Sequence, residues 1–278
     1  MKEEVIAAIK EFIASSQGDM ARYPTGPYFD TPIVGFAPLD DQLFGEYKRI
    51  IGDFHLTPRE LLAGELGLSP AGGTVICWVL PITEGVRKSN RTQGEFPSRG
   101  WSLTRTHGEA LNGELRRHLV AWLKGRGQAA LAPQLSPLWR ELEETPVGRA
   151  STWSERHAAY AAGLGTFSLS DALITAGGIA HRCGSVITDL VLEPSQRGEG
   201  GYADNCLYYR EGSCGACIGR CPVGAISFAG HDKSRCCAYV YGNVPAAVGE
   251  KYGVPYTGCG LCQTRVPCEG AIPRGKRR

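Results

Sequence analysis

The sequence predicts an α+β fold in two parts, a larger mixed region over residues 1–195 and a smaller cysteine-rich one over 196–278. Three observations carry this. Two short, β-branched apolar runs, TVICWVL (74–80) and SVITDLVL (185–192), read as buried strands among helix-period segments. Nine of the eleven cysteines fall between Cys206 and Cys268. Between the two parts lies PSQRGEGGYADN (194–205), whose turn-forming residues mark a joint.

From the start of the chain, Val5, Ile9, Phe12 and Ile13 recur at helical spacing and predict an amphipathic helix over 2–16. Residues 18–73 are rich in Pro and Gly and show no long period, so short runs such as 33–36 could be strands or loop anchors. Cys77, inside the first buried run, reads as a core residue. Residues 84–106 are polar and mixed in charge, which predicts a mobile loop or lid. Leu111, Leu115, Leu119, Trp122 and Leu123 mark a helix ending at Gly125. Thr152-x-x-Glu155 has the form of a capping box, opening a helix over 153–162 that Gly163 is placed to end.

A hydrophobic content of 42% supports a real core, and 37 glycines favour tight turns and close backbone approach. The net charge of +2 gives no general attraction to nucleic acid or membrane. The one basic run, RGKRR (274–278), reads as a solvated tail. No stretch approaches the ~18 apolar residues of a membrane span. The start, MKEEVIAAIKEF, carries acids where a signal peptide places basic residues and an apolar block. A reducing, cytoplasmic location is expected, where clustered cysteines mean metal more often than disulfides. Dinucleotide and Walker fingerprints and a nucleophile elbow are not evident, so electrons are expected from an external donor such as ferredoxin or flavodoxin.

The cysteines form two groups. The first, Cys206, Cys214, Cys217 and Cys221-Pro222, ends in the Cys-x3-Cys-Pro step of bacterial ferredoxins. The second is Cys236, Cys259, Cys262 and Cys268. A four-iron cubane takes four thiolates, so eight suitable cysteines read as two [4Fe–4S] clusters. Zinc, which also uses paired Cys-x2-Cys knuckles, is the alternative; its ribbons space such knuckles regularly, and these two groups differ in spacing. In two-cluster ferredoxins the fourth cysteine of each run serves the other cluster. On that pattern one cluster takes Cys206, Cys214, Cys217 and Cys268, and the other Cys221, Cys236, Cys259 and Cys262. Cys237 adjoins Cys236 and could exchange with it. Tyr208, Tyr209, Tyr239 and Tyr241 are placed to shield the clusters from water.

HAAYAAGLGTFSLSDALIT (157–175), GSVITDLVLEP (184–194), CGACIGRCPVGAI (214–226) and DKSRCCAY (232–239) follow one another in the order seen in epoxyqueuosine reductases and reductive dehalogenases. The resemblance runs over about residues 31–270 and is specific in the cluster region and in AGLG…TDL. It implies a nitroreductase-like domain that holds cobalamin with its lower base detached, followed by a ferredoxin-like domain with two [4Fe–4S] clusters that reduces the cobalt. By this resemblance 162–170 and 184–189, including Gly163, Leu164, Gly165, Thr166, Phe167, Ser168, Ser170, Thr188 and Asp189, line the corrin pocket. The substrate is then a small molecule or a modified nucleoside, with tRNA a partner by family analogy. Three departures point to a sister group with another substrate. Arg149 stands at about the position of the family's proton-donating aspartate. Thr166–Ser170 replaces a Trp-Ile-Gly-Lys-Asn stretch, and Glu211 occupies the usual place of the first cluster cysteine, displaced here to Cys206. The sequence also shows no counterpart of the helical repeats that end many epoxyqueuosine reductases.

With no aspartate at that position, His157 on the helix before AGLG is a candidate proton donor, against packing as its plainer role. His107, in the polar region that could cover a pocket, is a second candidate, against hydrogen bonding at a helix start. Arg156 could bind an anion or a corrin amide, or form a surface ion pair. Glu155 reads as a capping residue, His181 and Cys183 as parts of a turn, and His231 as a neighbour of the second cluster. The leading function is a corrinoid-dependent iron–sulfur reductase. The alternatives are an electron-transfer or corrinoid-reactivating protein holding no corrinoid, and a flavin (FMN) reductase on the same fold.

Overall fold

The structure is a computed structural model that describes residues 1–17 and 26–275. The last three residues of the RGKRR run and the first part of the 18–73 stretch lie outside the described residues. The chain opens with α1 (Lys2–Ser16), β1 (Ile33–Pro38), α2 (Gln42–Ile51), α3 (Pro58–Leu66) and β2 (Thr74–Pro81). It continues through α4 (Glu84–Arg91), the long α5 (Arg99–Lys124), and the short strands β3 (Ala130–Leu131), β4 (Glu141–Leu142) and β5 (Ala150–Ser151). Then come α6 (Glu155–Ala161), β6 (Gly165–Phe167), β7 (Leu173–Thr175) and β8 (His181–Thr188). The cysteine segment holds only short elements, among them α7 (Leu207–Glu211), α8 (Ala216–Arg220), β9 (Ile226–Ser227), β10 (Gly230–His231) and α9 (Lys233–Ala238). No described helix is long and apolar enough to cross a membrane.

A four-stranded sheet in the order β1-β2-β8-β3, antiparallel throughout, carries helices on both faces. The alternation of β2 shows how. Ile76, Trp78 and Leu80 face α1 and α5, packing with Val5, Ile9, Leu111, Leu115 and Leu119. Val75, Cys77 and Val79 face α2, α3 and α6, packing with Phe44, Leu61, Leu62 and Ala158. Every residue of β2 is therefore buried, which is why TVICWVL reads as one apolar run instead of an alternating one. Each such side chain contributes about 1.5–3 kcal/mol over its exposed state. Cys77 is a core residue, as its sequence context predicts.

Helix α1 matches the expected span. The segment after it contains two helices that its composition conceals. In α2 the buried face is Phe44, Tyr47 and Ile51, only ten residues long with Gly45 inside it. In α3 a complete capping box, Thr57 with Glu60, follows the rule of Pro at the first turn. The expected lid over 84–106 is instead α4 and the first turns of α5, opened by Ser98, whose hydroxyl accepts from the Trp101 N–H at 3.1 Å. Helix α5 ends at Gly125, as its leucine spacing predicts.

Two further expectations change. The capping box at Thr152 does not form: Ser154 is the cap of α6, accepting from the His157 N–H at 3.5 Å. The Thr152 hydroxyl donates to the Leu138 carbonyl and accepts from the Arg140 N–H, both at 3.0 Å. Glu155 turns inward to an ion pair with buried Arg116 at 3.3 Å, and Arg116 also holds Glu109 at 3.0 Å. Burial raises the Glu155 carboxyl above its ordinary range, and the nearby Arg116 charge opposes it. The second buried strand, β8, starts four residues earlier than SVITDLVL suggests, so His181 and Cys183 lie within it and not in a turn. Gly163, with φ of +73°, ends the α6 region as expected.

The cysteine segment is fastened to α4 and α5. Arg220 donates to the Leu261 and Thr264 carbonyls at 3.1 and 3.0 Å and to the Gln93 carbonyl at 2.7 Å. Asn90, wholly buried, accepts from the Ser98 N–H at 2.8 Å and donates to the Thr264 hydroxyl at 3.1 Å. Arg91 pairs with Glu269 at 2.6 Å. Gly260, at φ +64°, lies so close to Trp101 that a Cβ there would fall 1.9 Å from the indole.

Candidate functional site

The eight expected ligands separate into two cavities. One is lined by Cys206, Cys214, Cys217 and Cys268. The other is lined by Cys221, Cys236, Cys259 and Cys262, and not by Cys237. Each set of four mixes the two sequence groups in the crossed pattern. Local geometry produces it. Cys217 sits on α8, one turn long, and Cys221 follows at its end, so one short helix serves both cavities. The backbone places Cys268 beside the first cavity through the Ile179 N–H, which donates to the Cys268 carbonyl at 2.9 Å.

The thiols face one another closely enough to oppose each other's ionisation. Burial and then the Cys206 and Cys214 thiols push Cys217 up to about 11. Burial and then Cys217, Cys206 and Cys214 push Cys268 to about 12. In the second cavity burial pushes Cys259 to about 11, with Cys236 and Cys221 adding to it. Burial, then Cys259, Cys236, Cys217 and Cys221, raises Cys262 well above the ordinary thiol. Thiols so buried and so close would ionise together only beside a compensating cation, and metal coordination deprotonates thiols outright. Backbone N–H groups also reach the sulfurs, as from Ala225 to Cys221 Sγ at 3.2 Å, the kind of bond that tunes a cluster's potential. Among the described residues no three His, Cys, Asp or Glu side chains gather tightly enough for a single metal ion. A cubane spreads four thiolates over four irons and asks for no such group. The donor sets fit two [4Fe–4S] clusters.

A third, larger cavity of about 630 Å³ adjoins these two, within the size range of cofactor sites. Its wall includes Tyr47, Tyr160, Phe167, His55 and His157, with Arg149, Arg156 and Lys233 as cationic groups. The turn between β6 and β7 is the partition among all three. Ser168 lines the large cavity and the first cysteine cavity, and Ser170 lines both cysteine cavities. Arg156, donating to the Asp171 carbonyl at 2.6 Å, lines the large cavity and the second cysteine cavity. Asp171 adopts φ of +58° to close this turn, a conformation aspartate tolerates better than most residues. Its carboxylate meets His231 at 3.2 Å. Burial raises the Asp171 carboxyl, but the His231 hydrogen bond and the charges of His231, Arg156 and Lys233 prevail and lower it.

The expected corrin-pocket residues divide. Phe167 and Ser168 line the large cavity, and Ser170 stands behind them. Gly163 faces the backbone at Gln196, Leu164 packs in the core, and Gly165 and Thr166 pair with β7, Thr166 also accepting from the Asn205 N–H. Thr188 and Asp189 lie at the opposite end of β8 from His181 and line none of the three cavities. Asp189 accepts from the Ala129 N–H at 2.9 Å, and the Thr188 hydroxyl accepts from the Leu190 N–H at 3.2 Å. They serve the strand end. His107 lies inside α5 and lines none of the three cavities. His157 does line the large one, with Nδ1 2.8 Å from the Ser154 hydroxyl. Burial, with Arg156, His55 and Lys233 adding to it, pushes its pKa down to about 3. It is a neutral imidazole there and not an imidazolium acid. Arg149 does reach the cavity wall, paired with Glu143 at 2.8 Å. Tyr47, His55, Asp171 and Lys233 are cavity residues that sequence reasoning missed: Tyr47 and His55 lie in a stretch without a motif, and Asp171 and Lys233 lie within the stretches 157–175 and 232–239 without being singled out.

No family model matches this sequence, and no curated protein matches it either. In structure the chain is similar to a selenomethionine-labelled epoxyqueuosine reductase, at 20% identity and a TM-score of 0.54, over 99% of this chain and 67% of that one. It is similar to an epoxyqueuosine reductase with an epoxyqueuosine-modified tRNA-Tyr stem loop, at 20% identity and a TM-score of 0.55, over 96% and 65%. It is also similar to the Bacillus subtilis epoxyqueuosine reductase with a catalytic aspartate loop swung out of its active site, at 19% identity and a TM-score of 0.51, over 96% and 68%. The sequence motifs and the three-dimensional likeness thus point to the same group, and the chain has the fold of the epoxyqueuosine reductases over about two thirds of their length.

Proposed function

We propose that the chain is an iron–sulfur reductase, in which two [4Fe–4S] clusters feed electrons to a corrinoid in the large cavity and thence to a small organic substrate. One observation carries this: two four-cysteine cavities share walls with a larger aromatic and cationic cavity, in the fold of epoxyqueuosine reductases. In this reading residues 1–195 form a nitroreductase-like cofactor domain and 196–278 a ferredoxin-like domain. When bound, the clusters carry single electrons and the corrinoid supplies a strongly reducing metal centre to the substrate.

The residues do the rest. Cys206, Cys214, Cys217 and Cys268 would hold one cluster, and Cys221, Cys236, Cys259 and Cys262 the other. The β6–β7 turn keeps the three cavities apart while holding them adjacent. Tyr47, Tyr160 and Phe167 give the large cavity an aromatic wall. Ser154 accepts the His157 backbone N–H and lies 2.8 Å from its Nδ1. Nε2 is therefore the ring nitrogen of His157 left for a bound group. Arg149, paired with Glu143 and Glu141, stands about where the resemblance expects a carboxylic acid. No proton donor is supplied from that place, which favours a substrate other than that of the neighbouring reductases. An external ferredoxin or flavodoxin would reduce the clusters, in the cytoplasm.

The protein, produced anaerobically and supplied with hydroxocobalamin, should contain about eight irons and bind about one cobalt. Cys217→Ala should lose about half the iron and keep the EPR signal of the remaining cluster. Full iron with no change on adding hydroxocobalamin would remove the corrinoid from the reading, and unchanged iron in Cys217→Ala would remove the ligand assignment.

A further inference from the structure

Resting on the reading that the large cavity holds a redox cofactor, we propose that His55 is a binding residue of that cavity. It hydrogen-bonds an uncharged donor–acceptor group of the cofactor, a carboxamide or the imide edge of a ring. His55 is 1% exposed, lines the cavity, and has no hydrogen-bond partner on either ring nitrogen. A buried imidazole left in that state is costly, since each unpaired buried polar atom forfeits its hydration. Packing does not require the polarity. The ring lies edge-on to Tyr47 at 6.0 Å and stacks on Trp153 at 6.2 Å, an environment a phenyl ring would fill without stranding two nitrogens.

The nearest charged groups are otherwise engaged. Lys48 Nζ donates to the His55 carbonyl at 3.1 Å and to Glu60 at 2.9 Å. Burial, with Lys48 adding to it, pushes the pKa of His55 down to about 4, so the ring is neutral and offers one donor and one acceptor. His157, whose ring lies 6.3 Å away, lines the same cavity. This set selects the chemistry of its partner. An anion would find one donor and one lone pair on this neutral ring and could use only the donor, and a cation would meet Arg149, Arg156 and Lys233 in the same cavity. An uncharged group that carries a donor and an acceptor can bond whichever ring nitrogen it meets, in either tautomer. Corrinoids carry such groups as peripheral carboxamides, and flavins carry one as an imide edge.

The test compares wild type, His55→Phe and His55→Gln by absorbance titration with hydroxocobalamin and, separately, with FMN, alongside iron content and unliganded Tm. The wild type should take one probe. His55→Phe should keep its iron, match or exceed the wild-type Tm, and bind that probe about tenfold more weakly, as one or two lost hydrogen bonds imply. His55→Gln, which restores a donor and an acceptor, should recover part of the affinity. Unchanged affinity in His55→Phe, or a Tm several degrees lower, would overturn the assignment. If the wild type takes FMN and not hydroxocobalamin, the corrinoid reading falls and His55 is judged on FMN by the same variants. If it takes neither, both fall.

Discussion

His157 shows how environment reassigns a residue. Its place before AGLG makes it an attractive acid, yet its ring is enclosed by Tyr47 at 4.8 Å and Phe167 at 4.7 Å, with two cations nearby. Burial first, and those charges second, hold its pKa at about 3, and burial holds that of His55 at about 4. In the unfolded chain both would titrate near 6.5. Between those values the unfolded state binds more protons than the folded state, so stability is lost as the pH falls from about 7 towards 4. Each histidine contributes up to roughly 1.4 kcal/mol per pH unit to that slope. Urea midpoints of the holoprotein between about pH 7.5 and 5 should therefore fall less steeply in His157→Gln than in the wild type. Equal slopes would mean that His157 is not held neutral. Glu155 teaches the same lesson. A capping sequence surrounds it, but an opposite charge on α5 draws it inward.

At the scale of elements, residues 84–106 are the clearest change. Their polarity suggests a solvated lid, because sequence alone cannot tell polar groups that face water from those that face another stretch of chain. Asn90 and Arg91 face the cysteine segment, so α4 is a dock. Replacing Asn90 with Ala would leave the Ser98 N–H and the Thr264 hydroxyl without this partner, at a cost of ~1–3 kcal/mol. Hydrogen exchange should then quicken over 259–264 while β2 keeps its protection. Exchange that stays unchanged around Thr264 would show that the dock holds without Asn90. The helix α3 was readable from Thr57-Pro58-x-Glu60. Helix α2, short and interrupted by Gly45, was not.

The whole molecule is built on apolar groups of different kinds. The two that sandwich the sheet contain none of the eight candidate ligands. A third is a small set, Leu169, Ile174, Ile179, Ile226 and Val266 among them, wrapped around the thiols. So small a core leaves the segment dependent on what its cysteines hold. Anaerobic removal of iron with a chelator should abolish exchange protection over 206–268 and spare β2 and β8. Loss of protection everywhere at once would mean that sheet and cysteine segment unfold as a unit.

The sequence by itself determined the buried strands, the leucine helix and the short step from Cys217 to Cys221. These are local signals: a run of β-branched residues, a 3.6-residue period, a one-turn spacing that cannot place Cys217 and Cys221 far apart. Tertiary structure decided what no short window encodes. It gave Thr188 and Asp189 to a strand end, made α4 a dock, and brought Tyr47, His55, Arg149, His157 and Lys233 to one cavity from separate stretches of chain. A cavity is a property of packing between distant segments, so a motif can point to part of its lining, as at Phe167 and Ser168, but not to residues such as Tyr47 and His55 that come from elsewhere in the chain.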